Sequence, residues 1–184
     1  VANQIRGIET EYNGYLFRSR LEARWARFFT ELGWQWTYEP FDLPGWIPDF
    51  LLHGKSRQIL VEVKPVIEFP FDVAAKIDTA YPNGDALIVG TTPFLSRADH
   101  HLGWLRCDGC CDDGDVKQWE PAAFHIGSGV LGIHPIYGAF EDRINDFCDG
   151  DSGTFAYNAD EIVRMFVDGK WAIACNTTRW EARR

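Results

Sequence analysis

The sequence predicts a mixed α/β fold, in which one amphipathic helix, three strands, a second helix and a fourth strand follow in order. Three observations carry this reading. Leu21, Trp25, Phe28, Phe29 and Leu32 recur at helical spacing and end on Gly33, a helix stop. Two short apolar runs, Phe50-Leu51-Leu52 and Leu60-Val61-Glu62-Val63, have strand length and are parted by the polar turn His53-Gly54-Lys55-Ser56. A third run, Asp85-Ala86-Leu87-Ile88-Val89-Gly90, is apolar enough for a strand covered on both faces.

Taken in order, the first helix spans residues 19–32, and its apolar stripe faces the sheet. A strand near Trp34-Gln35-Trp36-Thr37-Tyr38-Glu39 comes next, followed by turn chemistry at Asp42-Leu43-Pro44-Gly45. The strands carrying Asp49 and Glu62 follow. Phe71 to Tyr81 reads as a helix closed by Pro82-Asn83-Gly84, and the buried strand at 85–90 completes the order. Beyond Thr92, Gly, Pro and aromatic residues separate short apolar runs. There the expectation is small strands at Gly103-Trp104-Leu105-Arg106 and Val116-Lys117-Gln118-Trp119, a short helix from Ala159 to Val167, and a final strand at Trp171-Ala172-Ile173-Ala174-Cys175. The expected organisation is a core over residues 1–95 and an irregular, β-rich, cysteine-containing elaboration over 96–184 packed on it, together a single domain.

The chemistry concentrates in Ile47-Pro48-Asp49-Phe50-Leu51-Leu52 and Leu60-Val61-Glu62-Val63-Lys64-Pro65. An ionised carboxylate in an apolar strand is costly unless something compensates for its desolvation. Alternation sets Glu62 and Lys64 on one face of their strand and Val61 and Val63 on the other. Two carboxylates and an ammonium so arranged suit a divalent metal held by Asp49 and Glu62, with Lys64 beside the water it activates. On a wheel of about 100° per residue, Glu22 falls at the margin of the first helix's apolar stripe, beside Phe29. Its competing role is the capping box Ser19-x-x-Glu22. Arg18 lies one turn earlier on the same edge, placed to grip a phosphate bidentately, whereas Arg20, Arg24 and Arg27 are expected on an outward, solvated face.

Pro48-Asp49 with Glu62-Val63-Lys64, and Glu22 on the preceding helix, resembles the PD-(D/E)XK, or restriction-endonuclease-like, nuclease superfamily over about residues 15 to 92. The pairing is also similar to the cutting subunits of heteromeric transposons and to small phage and bacterial nucleases. The resemblance implies an α-β-β-β-α-β core and a metal-dependent DNA endonuclease that hydrolyses phosphodiester bonds. It further implies that Mg²⁺ or Mn²⁺ is held by Asp49, Glu62 and the Val63 carbonyl, with Glu22 completing the shell, and that Lys64 orients or deprotonates the attacking water. Two alternatives stay open. One is a catalytically silent protein of the same fold that engages a host or partner DNA-processing factor; the other is a structure-specific resolvase or RNase using the same site.

Composition bounds these readings. The chain of 184 residues carries a net charge of −9, the wrong sign for binding nucleic acid over a whole surface. The imbalance is local: residues 1–64 hold 8 Lys+Arg and 8 Asp+Glu, against 10 and 19 in residues 65–184. Modest intrinsic DNA affinity follows, together with a role for a partner protein that delivers substrate, or for a homodimer. No run is long enough to span a bilayer and no basic-then-apolar leader opens the chain, so the expected setting is cytoplasmic, in a bacterium or a phage-infected host. No Walker-type loop or Gly-x-Ser-x-Gly elbow is present.

Cys107-x-x-Cys110, with Cys111 adjacent, has the knuckle spacing of structural Zn²⁺ sites, and Cys148, Cys175, His100 or His101 would complete four ligands. A second closely spaced pair is missing, and reduced thiols are the default for a cytosolic chain. Elemental analysis separates the two: a zinc knuckle requires about one zinc per chain and a sharp loss of stability in Cys110→Ser, whereas reduced cysteines give metal-free protein with reactive thiols.

Overall fold

A computed structural model describes residues 7–54, 58–93, 101–106, 119–127, 130–135 and 160–178. The fold is mixed α/β. A hairpin of β1 (Thr10–Tyr12) and β2 (Tyr15–Phe17) precedes helix α1 (Arg20–Glu31), then β3 (Gln35–Tyr38), β4 (Phe50–His53), β5 (Gln58–Val63), α2 (Phe71–Ala80) and β6 (Asp85–Val89). β7 (His101–Arg106), β8 (Trp119–Gly127), β9 (Val130–Pro135) and α3 (Asp160–Thr177) follow. Strands β3 to β9 form one seven-stranded sheet in chain order, in which β5 and β6 run parallel and every other pair is antiparallel. The parallel pair needs a crossover, and α2 supplies it.

Alternation along β4 to β6 sorts the core into two layers. Phe50, Leu52, Val61, Val63, Leu87 and Val89 face α1, where Trp25, Phe28 and Phe29 are fully buried. Leu51, Leu60, Ala86 and Ile88 face the opposite layer with Ala74 and Ile77 of α2 and Trp46. Burying one large aromatic ring of this kind contributes about 3–5 kcal/mol against truncation to Ala. The stripe expected on α1 is therefore the one that packs, with Leu21 half-buried at its edge.

Three segments depart from the sequence reading. The β1–β2 hairpin was not expected, although its turn is Asn13-Gly14 with φ of 51° and 80°, the pairing that two-residue hairpins favour. The expected final strand at Trp171–Cys175 is instead the second half of α3, which runs through Gly169 because Trp171 packs on α1, 4.9 Å from Trp25 and 5.5 Å from Phe28 between ring centroids. That apolar contact outweighs the roughly 1 kcal/mol cost of an interior helical glycine. Finally, Arg20, Arg24 and Arg27 are all part-buried instead of solvated, and α3 and the hairpin pack on α1. Arg27 pairs with Glu31 and lies over the Tyr12 ring. Of the expected Val116–Trp119 strand, only Trp119 is described, as the first residue of β8.

Arg106, 1% exposed, ties β7 to the end of α2: its guanidinium binds Asp78 and donates to the Tyr81 and Gly84 carbonyls at 2.6 and 2.8 Å. Its plane lies over Trp119 of β8, 5.4 Å from the ring centroid. β7 approaches β6 so closely at Gly103 that a Cβ there would fall 2.1 Å from the Ile88 carbonyl oxygen. We expect Arg106→Met to lower unfolding free energy by about 2–3 kcal/mol in denaturant melts. This is less than the 3–5 kcal/mol of a wholly buried pair, because Asp78 stays half in water.

Candidate functional site

Where β4 begins and β5 ends, the backbone register creates the site. Phe50 pairs with Val61, so continuing the ladder sets Asp49 beside Glu62 and Pro48 opposite Val63. Lys64 N–H bonds the Val89 carbonyl of β6, so the even residues of β5 turn their backbone groups to β6 and the odd ones to β4. Val63 therefore points its N–H and carbonyl at the point where β4 has given way to Pro48-Asp49. The Asp49 Oδ2 takes that N–H at 2.7 Å. Proline has no N–H to offer the Val63 carbonyl across this part of the ladder, and Val63 lines the cleft.

Asp49 and Glu62 are each 4% exposed and Glu22 is 8% exposed, and all three line one cleft of about 580 Å³. Each carboxylate oxygen of the inner pair has a donor. Asp49 Oδ1 accepts from the Arg18 guanidinium at 2.7 Å, Glu62 Oε1 meets the Lys64 ammonium at 2.6 Å, and Glu62 Oε2 accepts from the Trp46 indole N–H at 2.7 Å. On each of these carboxylates, one oxygen is thus held by a neutral, fixed donor and the other by a flexible cationic side chain.

Glu22 is tied to the helix start and also lines the cleft. Ser19 Oγ accepts the Glu22 backbone N–H at 3.1 Å as the helix cap and donates to Glu22 Oε1 at 2.7 Å. Tyr38 of β3 donates its hydroxyl to Oε2 at 2.7 Å, and the carboxylate still borders the cleft. Arg18 sits where expected but is engaged by acids: besides Asp49, its Nε meets Glu39 at 2.7 Å. Glu39 leaves β3 at φ 44°, a left-handed conformation uncommon outside glycine, and this residue closes the acidic ring around Arg18. Lys76 of α2 and Asp42 complete the rim.

The electrostatics follow from this crowding. Burial pushes Asp49 up to about 7, helped by the neighbouring Glu62 and Glu22 charges and opposed by the Val63 N–H and Lys64. Burial works against the Lys64 ammonium, but Glu62 and Asp49 outweigh it and hold its pKa above the usual lysine value. The same balance raises Arg18, where burial is opposed chiefly by Asp49. Burial, with Glu22 beside it, also raises Tyr38. The raised Asp49 pKa is thus chiefly a mark of burial, to which the neighbouring acids add.

The donor set suits a hard divalent cation: Asp49 Oδ1, Glu62 Oε1 and the Val63 carbonyl are all oxygens. Among the described residues, no group of three His, Cys, Asp or Glu side chains forms a ready-made metal cage. A metal with only two carboxylates must therefore be one that keeps water in its shell, as Mg²⁺ does. Of the candidate zinc ligands, Cys107, Cys110 and Cys148 lie outside the described residues, and Cys175 is a half-buried free thiol on α3.

The sequence reading missed Trp46 and Tyr38, which hold Glu62 and Glu22. Trp46 stands three residues before Asp49, directly after the Pro44-Gly45 turn, and that adjacency was the available signal. Compared with known proteins, the chain matches no family model, no curated protein and no solved structure.

A carboxyl whose folded pKa exceeds its ordinary value contributes stability at low pH that is lost as pH rises through the folded value. For Asp49 the window runs from about 4 to about 7. In chelator-treated protein, wild type should lose more thermal stability than Asp49→Asn between pH 5 and 8, measured by scanning calorimetry at fixed ionic strength. Parallel curves for the two proteins would contradict the crowding described here.

Proposed function

We propose that this protein is a metal-dependent nuclease of the PD-(D/E)XK type, acting on DNA phosphodiester bonds with Mg²⁺ or Mn²⁺ held by Asp49, Glu62 and the Val63 carbonyl. One observation carries the reading: two buried carboxylates meet at the ends of adjacent strands, with a lysine on the face of the second, and all three open into one cleft. The element order from α1 to β6 supports it, since it is the α-β-β-β-α-β order that the motif resemblance implies.

The bound metal would supply Lewis-acid charge neutralisation and a nucleophilic water at neutral pH. The chain's own groups do the rest. Lys64, an ammonium beside Glu62, serves as a cationic donor to the phosphoryl oxygen on which charge develops. Arg18 presents a half-exposed guanidinium at the cleft mouth, which grips a non-bridging phosphate oxygen pair once it exchanges Asp49 for substrate. Glu22, fixed by Ser19 and Tyr38, holds negative charge beside the site and is available to orient a proton donor.

Supercoiled, linear, single-stranded and branched DNA, and RNA of matching sequence, incubated with Mg²⁺, Mn²⁺ or chelator, test the reading. Cleavage of at least one DNA form with metal, and none with chelator, is expected. Lys64→Ala should cut about 10²–10³-fold more slowly, comparable to the loss of one preorganised donor. Its DNA affinity at fixed salt should stay near wild type, because one ammonium is a small share of the phosphate contacts. Cleavage of RNA alone would move the substrate class. DNA binding without cleavage would favour the silent-fold alternative, and a Lys64→Ala enzyme at wild-type rate would remove the role given to that residue.

A further inference from the structure

Trp46 has the anatomy of a designed support. Its side chain is 2% exposed and packs with Leu51, Leu60, Ala74 and Ile77, its ring centroid 6.4 Å from that of Tyr81. Its backbone is clamped as well: Leu43 and Trp46 exchange both backbone hydrogen bonds, at 2.9 and 3.0 Å, around a turn whose Gly45 has φ 79°. Neither the ring nor the peptide is free to swing. The indole N–H is therefore aimed in one direction, at Glu62 Oε2, 2.7 Å away.

We infer that Trp46 is a positioning residue that fixes the Glu62 carboxylate so that Oε1 alone is presented to a divalent cation in the cleft. The inference rests on the metal-dependent reading above and extends it to a residue outside the ligand set. The chemistry of the donor matters. An indole N–H donates but neither accepts nor ionises, so it orients the carboxylate without cancelling its charge. A lysine or arginine in that place would satisfy Oε2 equally well and weaken Glu62 as a ligand. A hydroxyl would be free to rotate. Outer-shell partners of metal-binding side chains commonly govern affinity by 10–100-fold.

Trp46→Phe keeps the ring in its apolar pocket and deletes the N–H. Trp25→Phe is a matched control, because Trp25 is also fully buried and donates its indole N–H to a carbonyl, that of Gly90 at 2.9 Å, away from the cleft lining. With Mn²⁺ as the probe, calorimetric titration should find binding about 10–100-fold weaker in Trp46→Phe and unchanged in Trp25→Phe. On a cleaved DNA, Trp46→Phe should lower kcat at saturating Mg²⁺ while KM for DNA stays within about twofold, a split that general loosening of the core would not give. A measurement on the unmodified chain covers the case in which Trp46→Phe fails to fold. The assigned Trp46 indole N–H resonance should shift with Mg²⁺ and saturate with binding, while that of Trp25 stays still. Equal Mn²⁺ affinity in wild type and Trp46→Phe, or an unmoved Trp46 resonance in metal-loaded protein, overturns the inference and leaves the metal reading standing. Wild type that binds no Mn²⁺ overturns both.

Discussion

Two carboxylates buried at the ends of β4 and β5 set the terms for everything around them. Removing one such charge from water costs several kcal/mol after relaxation. A hydrogen bond to a charged group returns about 1.5–3 kcal/mol. Two donors per carboxylate therefore come close to balancing the cost without a margin. The donors come from separate parts of the chain: Val63 from β5, Trp46 from the turn before β4, Arg18 from the entry to α1, and Lys64 from the end of β5. The convergence of these segments is the price of two acids in a core. Even so, Asp49 remains pushed up to about 7, chiefly by burial, so the donors around it do not fully offset its desolvation.

The donors around the two acids divide into rigid neutral groups and flexible cations. Each acid has a cation, yet buried pairs of this kind are often replaceable by apolar side chains at little cost to stability. Here the rigid neutral donors hold Asp49 Oδ2 and Glu62 Oε2, and the flexible cations Arg18 and Lys64 hold Asp49 Oδ1 and Glu62 Oε1. In the proposed metal site, side chains that can withdraw hold the ligand oxygens, and groups that cannot move hold the others. Nothing in the fold alone would require that division of labour.

Much of this was legible in the sequence because it depends on local rules. The period of α1, the alternation in Leu60-Val61-Glu62-Val63-Lys64 and the acids in apolar runs each follow from residues close together in the chain. They located α1 to β6 and brought Asp49, Glu62, Lys64, Glu22 and Arg18 to one cleft. What stayed hidden depends on partners distant in sequence. α3 continues through Gly169 because Trp171 finds Trp25, nearly a hundred and fifty residues earlier, and a short apolar stretch such as Trp171–Cys175 fits a strand equally well until that partner is known. Arg106 ends the strand expected over residues 103–106, but nothing near it in the chain announces Asp78 and the two carbonyls that enclose it. Arg24 and Arg27 lost their solvent to elements that the period of α1 alone does not reveal. Trp46 gave least warning, since an aromatic residue after a turn is ordinarily core, and its N–H matters only once Glu62 is seen beside it.

The central claim is that the buried carboxylates of Asp49 and Glu62 together are a place for a divalent cation. A crystal soaked in Mn²⁺ and measured for anomalous scattering tests it most directly. The account predicts a peak about 2.0–2.2 Å from Asp49 Oδ1 and Glu62 Oε1, with Arg18 and Lys64 withdrawn from those two oxygens. An ordered site with both cationic side chains still in place, and no anomalous peak between the carboxylates, would contradict it.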